Sequence, residues 1–131
     1  MFSDVHDSQV IAYAVDSIAN EVLLHLRAGP EGSPLFGLKF HGAIAHRFPH
    51  PLMPSWVFGL VEVPAEKLLV REWECIAEGF RLVGWPGPWA DSLENAVAHC
   101  DGNAVVGYDL ETSYGMHGWV LASSVERIGD L

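Results

Sequence analysis

The chain has 131 residues, half of them hydrophobic, with seven lysines and arginines against seventeen aspartates and glutamates and a formal charge of −10. That length suits one core and falls short of two typical domains, so residues 1–131 are expected to form a single domain. Charge of this sign repels phosphate backbones and anionic lipid; it argues against nucleic acid and membrane surfaces and favours a cationic protein partner, with solubility alone as the simpler reading.

The start, Met1-Phe2-Ser3-Asp4-Val5-His6-Asp7, lacks the positive charge and apolar run of a secretory signal. No stretch reaches the ~20 apolar residues of a membrane helix. Cys75 and Cys100 form no C-x-x-C motif and are too few for a disulfide scaffold, so both read as buried thiols and the expected location is cytoplasmic.

Residues 9–15 and 21–27 are apolar runs separated by Asp16-Ser17-Ile18-Ala19-Asn20, whose turn formers predict a β-hairpin. In the second run Val22, Leu24 and Leu26 share one face, with Leu23, His25 and Arg27 on the other. Gly29-Pro30-Glu31-Gly32-Ser33-Pro34 then breaks the pattern as a loop. Residues 36–48 alternate most clearly: Phe36, Leu38, Phe40, Ile44 and Phe48 fall on one face with Gly42 and His46, and Lys39, His41, Ala43, Ala45 and Arg47 on the other. A regular strand of that length would reach about 40 Å at ~3.3 Å per residue, which marks Gly42 as a bend or bulge. Pro49, Pro51 and Pro54 end it. Residues 56–63, apolar on both faces apart from Gly59 and Glu62, predict a central strand covered on both sides and closed by Pro64.

The period changes over residues 66–80, where Leu69, Trp73, Ile76 and Phe80 recur at three and four residues and describe an amphipathic helix. The alternative is a strand edge at 67–70 before a shorter helix. Gly84-Trp85-Pro86-Gly87-Pro88-Trp89 is a loop with two large anchors. Asp91 or Ser92 then caps a second helix, in which Leu93, Ala96, Val97 and Cys100 share a face before Asp101-Gly102-Asn103 ends it. The organising element is expected over 104–125: Val105, Val106, Tyr108 and Leu110, the turn Ser113-Tyr114-Gly115-Met116-His117-Gly118, then Trp119, Val120, Leu121 and Val125. β-branched and aromatic residues on both sides of a turn with two glycines favour a hairpin. The fold class that results is α+β, a mainly antiparallel β-sheet built from hairpins and one long strand, with two short helices packed on it.

The chemistry-bearing residues are sparse. His41, His46 and His50 are the densest histidine group, but on a regular strand His41 and His46 point to opposite faces and share an ion only across a bulge. Asp4, His6 and Asp7 form a second polar cluster, read more simply as a solvated chain end. A small metal-binding protein or metal-dependent hydrolase using one of these groups is the rival reading. Ser113, Ser123 and Ser124 lack a G-x-S-x-G elbow, and Gly115 and Gly118 lack a phosphate-loop pattern, so no catalytic residue and no cofactor are assigned. The aromatics offer more: Trp85, Trp89, Tyr114 and Trp119 fall in or beside loops, where they either plug the end of the domain or meet a partner. With His117, and with Asp109 and Glu111 as an acidic rim, they form the expected partner-binding set.

The order of these features resembles that of small bacterial immunity proteins of polymorphic toxin systems and their uncharacterised relatives. The resemblance rests on His6-Asp7 before the first strand, the hairpin at 10–26, the long strand at 36–48, and Ser113-Tyr114-Gly115 with Gly118-Trp119-Val120. It implies a non-catalytic protein that occludes a toxin by binding it, here a basic one given the acidic charge. A homodimer formed through an edge strand is the third expectation.

Overall fold

The first hairpin forms where alternation places it. β1 (Gln9–Asp16) pairs antiparallel with β2 (Glu21–Arg27), and the Asp16 carboxylate closes the turn by accepting the N–H groups of Ile18 and Ala19 at 3.0 Å. The computed structural model describes residues 5–29, 32–49, 53–112 and 118–129. β3 (Leu35–His41) adds to β2, and Gly42, at φ 61, turns the chain into β4 (Ala45–Arg47). β5 (Ser55–Val63) leads into α1 (Ala65–Val83); a 3-10 turn (Pro88–Asp91) and α2 (Leu93–Gly102) follow. The chain finishes with β6 (Val106–Thr112), β7 (Gly118–Ala122) and β8 (Ser124–Ile128). The fold is α+β, as its sequence pattern implies.

The eight strands lie in the order β4-β7-β6-β5-β1-β2-β3-β8, with every neighbouring pair antiparallel. The two ends of that order are not independent edges. β4 continues β3 past Gly42, β8 continues β7 past Ser123, and the two bent segments pair with each other on both sides of their bends. The ladder therefore closes into a barrel of about six staves, a closure that removes most of the exposed edge an open sheet would carry. Gly42 supplies the bulge that the length of the 36–48 run requires. His41 pairs with Ser124 and Ala45 with Leu121, so residues 42–44 lie opposite only Ala122 and Ser123.

Two cores result. Inside the barrel, Val10, Leu24, Leu26, Phe36, Leu38, Phe40, Val57, Leu60, Tyr108, Leu110 and Val120 form one cluster. Outside it, Ala45, Val105, Trp119 and Leu121 pack beneath Leu68, Leu69 and Ile76 of α1 and Ala96 and Cys100 of α2. Phe36, Leu38, Phe40 and Phe48 join the interior together, whereas Ile44, expected among them, packs in the outer cluster because the bulge re-aims it. α1 is helical from Ala65, which replaces the alternative of a strand edge at 67–70, and it continues to Val83, where Gly84 caps it by donating its N–H to the Phe80 carbonyl at 2.9 Å. Ser92 caps α2, its hydroxyl accepting the Asn95 N–H at 3.1 Å. No helix among the described residues is long and apolar enough to cross a membrane.

The covering of β5 differs from expectation. Its inner residues Val57 and Leu60 are buried, but Trp56 is 42 %, Phe58 54 % and Val61 43 % exposed. The reason lies in the direction of α1. It leaves β5 after Pro64 and crosses β6 and β7, with Leu68 against Gly107, Arg71 on Asp109 and Glu72 on Trp119. The helix layer covers those strands and leaves the outer side of β5 bare.

Candidate docking face

The residues from Ser55 to Val63 form a strand because their β-branched and aromatic side chains suit a pleated surface, and Pro64 ends the ladder. Register with β6 sets Gly59 opposite Glu111 and Val61 opposite Asp109, while register with β1 sets Trp56 opposite Gln9. A shift between Val57 and Gly59 makes Phe58 a bulged residue and adds it to the outward side. Trp56, Phe58 and Val61 thus stand outside the barrel in a row, with Glu111 beside them on the neighbouring strand.

The two carboxylates of that neighbouring strand differ. Asp109 is held by both terminal nitrogens of Arg71 at 2.7 Å, and the Nε of Arg71 donates to Glu72 at 3.0 Å. The bidentate bond to Asp109 holds the Arg71 guanidinium even more firmly protonated than usual and cancels the charge of Asp109 locally. Glu111 is exposed, and its carboxylate makes no hydrogen bond or ion pair with the described residues. Of the expected acidic rim, Glu111 carries net charge toward solvent and Asp109 serves to fasten α1.

Of the tryptophans expected either to plug the end of the domain or to meet a partner, Trp119 is buried and Trp85 and Trp89 are half-buried in packing contacts. Trp119 is 3 % exposed, its indole N–H donated to Glu72 Oε1 at 3.0 Å. Trp85 lies against it with ring centroids 6.1 Å apart and rests on Gly79. Trp89 stacks on His99 at 5.2 Å with planes 5° apart. Tyr114 and His117 lie outside the described residues. The exposed aromatics Trp56 and Phe58 sit where the apolar run signalled burial on both faces. The helix content implies only that some outer surface stays bare, because two helices cannot cover the whole outside of so many strands; it does not say which strand.

The histidines do not converge. His41 projects from the outer face between two carboxylates, Nδ1 3.1 Å from Glu21 Oε2 and Nε2 against Glu126. His46 pairs in register with Val120, on the barrel side, with its ring 5.7 Å from Phe48, and burial lowers its pKa. It lines a cleft of about 210 Å³ together with Val15, Val22, Ala43, Trp85 and Pro86. His50 and Asp4 lie outside the described residues, and His6 and Asp7 form an exposed pair at 3.1 Å. Among the described residues no group of three or more His, Cys, Asp or Glu side chains is disposed to hold a metal ion.

Among the nucleophiles one serine is engaged and one thiol is buried, while Cys75, expected to be buried, is only half-buried. The Ser123 hydroxyl donates to the His41 carbonyl at 2.9 Å. Cys75 and Cys100 are both free; Cys100 is buried, and burial pushes its thiol up to about 11, which leaves it protonated at neutral pH.

Comparison of the chain with protein-family models, with curated proteins and with solved structures returns no match.

Proposed function

We propose that this protein is a non-enzymatic, immunity-like binding domain that works in the cytoplasm and occludes a basic protein by docking it on the outer face of β5 and β6. The observation that carries the reading is the exposed row of Trp56, Phe58 and Val61 beside Glu111, on a chain of charge −10. Large aromatic side chains in contact with water are the residues that dominate interface energies when a partner desolvates them, and contiguous apolar surface rimmed by charge marks interaction sites. The acidic charge adds steering: it raises the rate at which a cationic protein finds the face and penalises anionic ones.

The test begins with the protein bound to tagged wild-type chain in its source cell, identified and then purified. Phe58→Ser and Trp56→Ser should each weaken its affinity at least tenfold with an unchanged far-UV spectrum. Glu111→Lys should act mainly on the association rate, and more at low salt than at high. A partner held equally well by the Trp56→Ser/Phe58→Ser double variant removes this face from the account.

A further inference from the structure

β5 is paired fully on one side only. On the β6 side its pairing runs from Val57 to Val63, whereas on the β1 side it pairs at Ser55 and Trp56 alone. Val57 adds the last bonds of that seam, donating to the Ser8 carbonyl at 2.8 Å and accepting the Asp7 N–H at 2.9 Å. There the N-terminal segment leaves the strand: Asp7 adopts φ 67, and Val5 is buried in the barrel core. From Phe58 to Val63 the second edge of β5 therefore pairs with no strand among the described residues.

An open edge presents a row of unsatisfied N–H and C=O groups, and proteins ordinarily blunt it with lysine, proline or a covering element. Gly59-Leu60-Val61-Glu62-Val63 carries no lysine and no proline, and the helix that follows runs over β6 and β7 instead. The bulge at Phe58 interrupts only the start of this edge. What surrounds it is acidic. Glu62 lies on the strand itself, Glu111 on the strand beside it, and Glu66 in the first turn of α1, set against Lys67. Arg71 is already committed to Asp109 and Glu72.

We propose that the free edge of β5 receives an extended segment of the partner by β-strand addition, and that this segment alternates apolar residues with lysine or arginine. Backbone hydrogen bonds to Gly59–Val63 supply the common part of the affinity; Phe58 and Val61, on the outer side, meet its apolar side chains, and Glu62, which pairs with Tyr108 on the opposite side of the strand, selects the basic ones. A second copy of this chain fits the edge less well, since pairing two β5 strands sets two molecules of charge −10 against each other. The inference rests on the reading that this side of β5 docks a basic protein, and it adds the mode of docking.

Three capped octapeptides test it: one alternating lysine and valine, one alternating glutamate and valine, and a lysine–valine peptide N-methylated at every residue. The expected result is that the first binds, that the other two bind at least tenfold more weakly, and that saturation with the first slows hydrogen exchange at least tenfold at alternate amides between Phe58 and Val63. Equal binding of the N-methylated peptide overturns strand addition while leaving side-chain docking on the face intact. Lack of binding by the unmethylated lysine–valine peptide also overturns it, and the Phe58→Ser comparison with the natural partner then decides the face separately. Concentration-dependent dimerisation that protects the same amides without peptide overturns it in favour of a second copy. Protection of those amides in the free monomer overturns it because the chain then covers its own edge.

Discussion

Gly42 adopts φ 61, and a Cβ built there would collide with the Ser123 hydroxyl on the partner stave. Both conditions act on the same atom. A side chain at positive φ costs about 1–2 kcal/mol, and forcing extra volume into packed surroundings costs roughly 1–3 kcal/mol. Gly42→Ala is expected to lower stability by about 2–5 kcal/mol on that basis, read as a shift of the urea midpoint at constant slope. A variant as stable as wild type would mean that the bend relaxes freely. His46, four residues on, responds to pH in a determined direction. Burial keeps its folded-state pKa below the ordinary 6.5, so in acid the unfolded chain takes up a proton that the folded chain resists. Its effect on stability is absent well above pH 6.5 and becomes a growing loss as pH falls through 6.5 toward the lowered folded value. His46→Gln should therefore lose less melting temperature than wild type between about pH 7 and pH 5. Parallel curves for the two proteins would show that the imidazole titrates as freely when folded as when unfolded.

α1 is fastened to the sheet at three successive points. Leu68 closes on Gly107, where a Cβ would stand 2.7 Å from Leu68 Cδ1; Arg71 reaches Asp109; and Glu72 accepts the indole N–H of Trp119. Of the three, the Glu72 contact has a buried donor at its far end. Removing its acceptor leaves that N–H without a partner, which costs about 1–3 kcal/mol, more than an exposed ion pair contributes. Glu72→Ala is expected to lose that much, with a changed near-UV signal from Trp119, and Glu72→Gln to recover most of it. Equal losses for the two would assign the effect to charge near Arg71. The helix itself was legible, because Leu69, Trp73, Ile76 and Phe80 carry the period of a helix and all four pack in the outer core. Its destination was not. Nothing in the order of residues 65–83 says that the helix crosses β6 and β7 rather than lying back along β5, and that choice decides whether Trp56, Phe58 and Val61 are core or surface. Period reads which side of an element is apolar; which element covers that side is a property of the assembled layers.

At the scale of the molecule the same division holds. Hairpins between sequence neighbours, β1 with β2 and β6 with β7, follow from local alternation and turn residues, while the closure of the barrel depends on β3 and β4 meeting β8 and β7 across about eighty residues of chain. Gly42 gave a local hint of the bend and no hint of the partner. The candidate face was hidden for the same reason, since aromatics beside glycines and prolines drew notice to Trp85, Trp89 and Trp119, which pack, and away from the strand that lies open. Charge, in contrast, is additive and was readable in full. Seventeen acidic residues against seven basic ones leave a surplus that the few ion pairs on the surface, such as Arg71 with Asp109 and Arg81 with Glu78, do not cancel. The folded state concentrates that surplus in a smaller volume than the unfolded chain does, so self-repulsion opposes folding and salt relieves it. The screening length falls from roughly 30 Å at 0.01 M to about 10 Å at 0.1 M salt, so most of the relief belongs to that interval. The melting temperature should therefore rise with added sodium chloride, steeply at first and then little, and the same salt should slow association with a cationic partner. A melting temperature that falls over this range would mean that attractive pairs outweigh the surplus, and with it the argument for long-range steering of a basic protein would fail.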